Sequence, residues 1–186
     1  MATIDEDLML RQISYIEKDN FSDPWSVESL WGTMVRDNNL IYFALGNEIK
    51  YTVYSFRGGE EIKVDCIRDV EVKDSTIKKP GEKLLMGYVI ATDIADESEL
   101  LRIAVADKFK GRGVGYELMC SYKDSLKDHC DKFFLEVRTS NDKARALYEK
   151  IGYKAVGTRK NYYSEPTEDA EIYSMELGPY YKMTGN

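Results

Sequence analysis

Lys110-Gly111-Arg112-Gly113-Val114-Gly115 stands between an apolar run, Leu100 to Val105, and a stretch in which Val114, Leu118, Tyr122 and Leu126 recur every four residues. The run predicts a strand, and the recurrence predicts a helix whose apolar stripe must pack on something flat, for which a sheet is the obvious floor. Glycines at a strand-to-helix junction let backbone N–H groups approach phosphate oxygens, while the first helical turn adds unsatisfied donors and the positive end of the dipole. Lys110 and Arg112 bring charge to the same place. A flexible turn would also need only the glycines, so this stretch by itself leaves phosphate binding and simple turn formation both open. Spacing excludes two other glycine loops. The sixth position from Gly111 is Tyr116, where a dinucleotide fingerprint needs glycine, and no Gly-Lys-Ser or Gly-Lys-Thr occurs in the chain.

Upstream, Asp5 to Asp19 places Leu8, Ile13 and Ile16 at helical spacing, and Ser26 can cap a second helix running through Leu30 and Met34. Leu40 to Leu45 and Ile49 to Tyr54 read as a hairpin turning at Gly46-Asn47. The charged segment 57–83, broken by Gly58-Gly59 and Pro80-Gly81, reads as an inserted hairpin, because Ile62, Val64, Cys66, Val70 and Val72 alternate with polar residues. Leu84 to Thr92 is a strand that pairs with Leu100 to Val105 across an acidic turn, Asp93 to Glu99. Downstream, Phe133 to Val137 is the next strand, and Asn141 starts a helix that Gly152 stops. Tyr153 to Arg159 and Glu171 to Leu177 form a last pair, joined by a polar connection.

A chain of 186 residues suits one domain, 1–186, with a sizeable core, and 43% hydrophobic with 32% charged residues fits a soluble globular protein. No run reaches the eighteen or so apolar residues that span a bilayer, and Met1 to Asp7 lacks a basic-then-apolar leader. The expectation is a cytoplasmic protein with no membrane contact. A net charge of −7 argues against direct nucleic-acid binding and favours a cationic partner. Cys66, Cys120 and Cys130 with the single His129 show no ligand-like spacing, so no disulfide framework and no metal site are expected.

Glu136 lies inside a predicted strand, where carboxylates are depleted. Alternation puts Phe133, Leu135 and Val137 on one face and Phe134, Glu136 and Arg138 on the other. Glu136 is then either a residue of a solvated face or a partly buried carboxylate able to relay a proton from a substrate amine. Tyr148 shares a helix face with Ala144, Leu147 and Ile151, which suits a core tyrosine as well as a proton donor.

Leu135-Glu136-Val137-Arg138-Thr139-Ser140-Asn141 followed by Ala146-Leu147-Tyr148-Glu149-Lys150-Ile151-Gly152-Tyr153 resembles the signature of the GNAT superfamily of N-acetyltransferases. With Arg102-Ile103-Ala104-Val105 and the glycine loop, the resemblance covers about Leu100 to Leu177. Arg159-Lys160-Asn161-Tyr162-Tyr163, Glu168-Asp169-Ala170, Met175 and Pro24-Trp25-Ser26 are similar to the RimI branch, the ribosomal-protein-alanine N-acetyltransferases. The resemblance implies an α/β (α+β) GNAT fold. Its mixed central sheet of about seven strands has helices on both faces and a V-shaped splay between two parallel central strands, opened by a bulge.

It also implies acetyl-CoA as cosubstrate, with the pyrophosphate held at Lys110, Gly111, Arg112, Gly113, Val114, Gly115 and Tyr116. The pantetheine arm would add as a strand to the backbone of Ile103, Ala104 and Val105, and Asn141 would contact CoA, although an N-cap role accounts for it equally. Glu136 matches the branch's general base and Tyr148 its general acid, for direct transfer in a ternary complex. Tyr162 and Tyr163 match positions lining the peptide end of the site, with ordinary loop packing as the alternative. The implied acceptor is a basic protein N-terminus, typically the alanine of a small-subunit ribosomal protein. Segment 57–83 is longer than the branch normally has there. Two other functions stay open at this stage: acetylation of a small amine or lysine side chain, and CoA binding without catalysis.

Overall fold

The computed structural model describes residues 6–46, 50–58, 65–71 and 84–177. Two helices open the chain, α1 (Glu6–Asn20) and α2 (Val27–Met34). α1 buries Met9, Leu10, Ile13 and Ile16 on one stripe, and Leu8 lies outside the residues whose side chains are described. Ser26 caps α2 by accepting the Ser29 N–H at 3.1 Å, as its position before an apolar run predicts.

Eight strands of the described residues form one sheet: β1 (Asn39–Gly46), β2 (Lys50–Arg57), β3 (Asp65–Glu71), β4 (Leu84–Ile94), β5 (Glu97–Val105), β6 (Lys132–Arg138), β7 (Lys154–Ser164) and β8 (Thr167–Glu176). Their order is β3-β2-β1-β4-β5-β6-β8-β7, with β5 and β6 parallel and every other neighbouring pair antiparallel. The expected count of about seven rises by one because Asp65–Glu71, in the inserted segment, pairs with β2 at the sheet edge. Its proposed partner residues Ile62, Val64 and Val72, and the turns at Gly59, Asn47 and Pro80-Gly81, lie outside the described residues.

Two further boundaries differ from expectation. The turn after β4 is only Ala95-Asp96, since Ala95 takes a positive φ of 59° and lets the strand ladder run to Ile94 and Glu97. The polar connection between the last two strands is itself paired backbone. Tyr162 and Tyr163 therefore sit on β7 rather than in a loop, and only Glu165-Pro166, a cis peptide, turns the chain. A positive φ of 51° at Asn161 accompanies a register shift between Arg159 and Tyr163.

The sheet has helices on both faces. α1 and α2 cover Ile41, Phe43, Tyr88 and Ile90. α3 (Val114–Leu126) and α4 (Asp142–Ile151) cover Tyr42, Val89, Phe133 and Leu135. Strand alternation sends successive side chains of β1 and β4 into the two opposite cores, which is why both strands are apolar almost throughout. Each fully buried Leu, Ile or Phe contributes on the order of 1.5–3 kcal/mol.

The centre of the sheet opens between its two parallel strands, as the family resemblance implies, with the bulge at Leu101 rather than within Ile103–Val105. β5 pairs with β6 only over Glu97–Leu100 against Lys132–Leu135. On the β4 side Ile90 faces Arg102 while Ala91 faces Leu100, so Leu101 is a bulged residue. Beyond it the parallel strands part, leaving Leu101 to Val105 and Glu136 to Arg138 without each other as partners.

Candidate active site

A cleft of about 790 Å³ lies at this splay on the α3 and α4 side, lined by Ile103, Ala104, Val105, Lys110, Gly111, Gly113, Val114, Gly115, Tyr116, Asn141 and Tyr148 among others. The glycine loop reaches it through a short 3-10 turn, Asp107–Phe109, whose Phe109 is buried in the α3-side core. The loop is thereby anchored at its start and is not a free turn. Gly111 and Gly113 have φ of 74° and 85°, the left-handed region that glycine enters without strain. A Cβ at either would meet nothing within 4 Å, so backbone conformation and not crowding requires glycine there.

Gly113 is the N-cap of α3 and supplies no side chain to its first turn; the Glu117 N–H bonds the Gly113 carbonyl at 3.0 Å. The N–H groups of Val114 and Gly115 therefore border the cleft as donors, together with the helix dipole. Lys110 and Lys143 line the same space, with Lys110 also 2.5 Å from Asp107. Arg112 is exposed and does not line it. Asn141 caps α4 by accepting the Ala144 N–H at 3.2 Å while bordering the cleft, so the structural role foreseen for it is filled.

Glu136 and Tyr148 stand where the cleft passes through the sheet. Tyr148 borders both the large cleft and a narrower passage of about 190 Å³ that Glu136, Arg138 and Tyr163 also line. Glu136 continues into a groove of about 530 Å³ on the α1 and α2 side, with Asp23, Trp25, Glu99, Arg102, Tyr162 and Tyr163. The Glu136 side chain is 14% exposed, and its Oε1 is 2.8 Å from Arg159 Nε. A hydrogen bond from the Tyr162 hydroxyl to Glu136, helped by partial burial, pushes that phenol up to about 12. Burial pushes the Tyr148 phenol well above its ordinary value, with Tyr163 adding to the effect, so Tyr148 holds its proton at neutral pH.

Several residues in and behind the groove were not marked as functional by their sequence. Glu17, fully buried on α1, accepts the Trp25 N–H at 2.8 Å and a hydrogen bond from the Tyr88 hydroxyl, and lies 3.4 Å from Arg102 Nη2. Arg102 stacks on Phe21 at 4.0 Å and Trp25 at 4.7 Å, and donates to the Asp23 carbonyl at 2.8 Å. This network pins the α1–α2 connection over the groove. Behind Arg138, Glu168 accepts the Ser140 N–H at 2.6 Å, the Thr139 hydroxyl at 2.9 Å and Arg138 Nη1 at 3.3 Å. Those bonds hold its carboxyl down to about 2. The one usable sequence signal was charge at strand positions, Arg138 two residues from Glu136 and Arg102 on the neighbouring strand; Glu99 and Arg102 share the groove side only because Leu101 is bulged.

Away from the groove, Asp93, His129 and Cys130 put potential metal-ligand atoms within 4.8 Å of one another. Asp93 already accepts from Arg57 at 2.6 Å and from the Cys130 thiol at 3.1 Å. Burial and the Asp93 hydrogen bond push that thiol up to about 12. No helix among the described residues is long and apolar enough to cross a membrane.

The model of the acetyltransferase (GNAT) family matches residues 51–153. The ribosomal protein bS18-alanine N-acetyltransferase of Haemophilus influenzae is 40% identical over 88 residues, 47% of this chain and 60% of that protein. A putative enzyme of the same name from Bacillus subtilis is 36% identical over 97 residues, 52% of this chain and 63% of that protein. The chain thus spans less than two thirds of the length of these two relatives. The crystal structure of the ribosomal-protein-S18-alanine N-acetyltransferase from Escherichia coli superposes with a TM-score of 0.63, covering 95% of this chain and 92% of that one at 22% identity.

Proposed function

The chain belongs to the GNAT acetyltransferase family, and from that premise we propose that it is a cytoplasmic, single-domain N-terminal acetyltransferase. It would move the acetyl group of acetyl-CoA to a basic protein N-terminus, with the N-terminal alanine of a ribosomal protein as its foremost candidate. The observation that carries this reading is the continuity of the cofactor-sized cleft with an acidic groove through a passage lined by Glu136 and Tyr148. The names of the relatives agree with it.

The residues fit acetyl-CoA by their own conformations. Uncapped N–H groups at the start of α3 suit a pyrophosphate, and the unpaired edge at Ile103, Ala104 and Val105 suits an amide-bearing arm lying as an added strand. Acetyl-CoA supplies the activated thioester. An α-ammonium, with a reference pKa near 8, enters from the groove and loses a proton to Glu136. Tyr148, protonated at neutral pH, gives its proton to the departing thiolate. A backbone N–H near Val105 polarises the carbonyl as charge gathers on its oxygen.

The groove favours a cationic peptide. Both arginines that border it are already committed, Arg102 to Glu17 and Arg138 to Glu168, whereas Asp23, Glu99 and Glu165 also border it. The test is acetyl-CoA-dependent acetylation, read by mass, of a panel with Ala-Arg, Ser, Met and acidic N-termini, N-terminally blocked lysine peptides and polyamines. Transfer to the α-amine of the Ala-Arg peptide is expected. Transfer only to lysine or polyamine would overturn the acceptor, and transfer to nothing would leave a CoA-binding module.

A further inference from the structure

Glu99 and Glu136 occupy neighbouring strands and one face. Glu99 lies opposite Phe134 in the parallel β5–β6 register, and Glu136 follows Phe134 by one strand period. Both line the groove on the α1 and α2 side and a second opening of about 350 Å³ next to it, where Arg159 joins them. Glu136 is largely buried, whereas Glu99 is exposed at the mouth. Arg159 reaches across from β7 with its Nε 2.8 Å from Glu136, and its charge also stabilises the Glu99 carboxylate. The Arg159 side chain is 59% exposed, and an ion pair whose cation lies mostly in water is weak and easily exchanged.

We propose that Glu99 is the second carboxylate of the acceptor-amine site: with Glu136 it receives the incoming ammonium, in the place that the Arg159 guanidinium occupies in the free protein. The proposal rests on the acetyl-transfer reading above. Two carboxylates side by side repel each other and require a cation between them. Arg159 supplies one while the groove is empty, and the acceptor supplies the next. Glu136, nearer the passage to Tyr148, takes the proton of the ammonium; Glu99, at the mouth, holds the amine in register.

The electrostatics agree with this arrangement. Partial withdrawal from water, then the Glu136 charge, raise the Glu99 carboxyl, while Arg159 opposes them. The other groups facing this space are Glu97 and Arg102 of β5, Arg138 of β6, Tyr162 and Tyr163 of β7, Glu165 of the β7–β8 turn, and Asp23 of the α1–α2 connection. Arg102 and Arg138 are held by Glu17 and Glu168.

The experiment uses the full chain and whichever amine the acceptor panel shows it to acetylate. Glu99→Gln, Glu99→Asp and Arg159→Gln are compared with the wild type for acceptor KM, acetyl-CoA KM and the acidic limb of kcat/KM. Glu99→Gln is expected to raise acceptor KM about tenfold, the loss of one charge-assisted hydrogen bond, with acetyl-CoA KM unchanged. The acidic limb, which in the wild type requires two ionised carboxylates, then requires one. Glu99→Asp keeps the double limb, and Arg159→Gln lowers acceptor KM because no guanidinium has to leave.

An unchanged acceptor KM and double limb in Glu99→Gln overturns the proposal, as does an equal rise in both KM values. Turnover of lysine or polyamine alone sinks the N-terminal acceptor while the Glu99 comparison is still decided on that amine. A wild type that acetylates no amine overturns both.

Discussion

The two halves of the candidate site are made of different material. The cofactor half is backbone: two glycines at positive φ, an uncapped helix start and a strand edge left unpaired by a bulge, nearly all between Leu101 and Tyr116. The acceptor half is side chain, assembled from α1, the α1–α2 connection, β5, β6 and the β7–β8 hairpin, and held by ion pairs and stacked rings. Backbone devices recognise what is constant in a ligand, a pyrophosphate and an amide arm. Side chains vary more freely than the backbone of a sheet, which is why the proposed acceptor choice is assigned to that half.

Each difference can be attacked separately. The largest effect is expected from Tyr148→Phe, which removes the hydroxyl proposed as proton donor at the passage between the halves. It should lower kcat by about 10²–10⁴ with acetyl-CoA KM nearly constant, measured by thiol release. Next, Arg102→Ala leaves Glu17 buried without its cation and unstacks Phe21 and Trp25. A loss of about 3–5 kcal/mol is expected from urea unfolding, showing how much of the acceptor half's order rests on one pair.

Gly113→Ala places a Cβ in open space but at φ 85°, so its cost is conformational, about 1–2 kcal/mol. Acetyl-CoA KM should rise about tenfold for such a cost while acceptor KM holds. The smallest effect concerns pH. Glu168 is held down to about 2, so its hydrogen bonds stabilise the fold above the usual carboxylate range and lose that contribution as pH falls toward about 2. Glu168→Gln should flatten the stability profile across that interval, followed by fluorescence in urea.

The unequal legibility of the halves has the same origin. Lys110 to Tyr116 is contiguous and lies at a strand-to-helix junction, so the loop and the capping Asn141 can be placed from residue order, while the splay follows from the family resemblance. Glu136 was visible as a carboxylate in a strand. Glu17, by contrast, reads as one more charge on an amphipathic helix, because its partners Tyr88 and Arg102 are 71 and 85 positions away and only the fold brings them together. Glu99 looked like part of an acidic turn until Ala95 proved able to close that turn within two residues. The polar neighbours of Tyr162 and Tyr163 read as a connection, whereas pairing with β8 makes that stretch strand. Local signals therefore predicted backbone structure well and side-chain networks poorly.

The most direct test of the account is to measure acetyl-CoA binding by calorimetry and acetyl transfer in a single turnover on one preparation of Glu136→Gln. Wild-type affinity for acetyl-CoA is expected, with transfer to the acceptor amine slowed by about 10²–10⁴ at neutral pH. Transfer at the wild-type rate, or binding lost together with transfer, would contradict it.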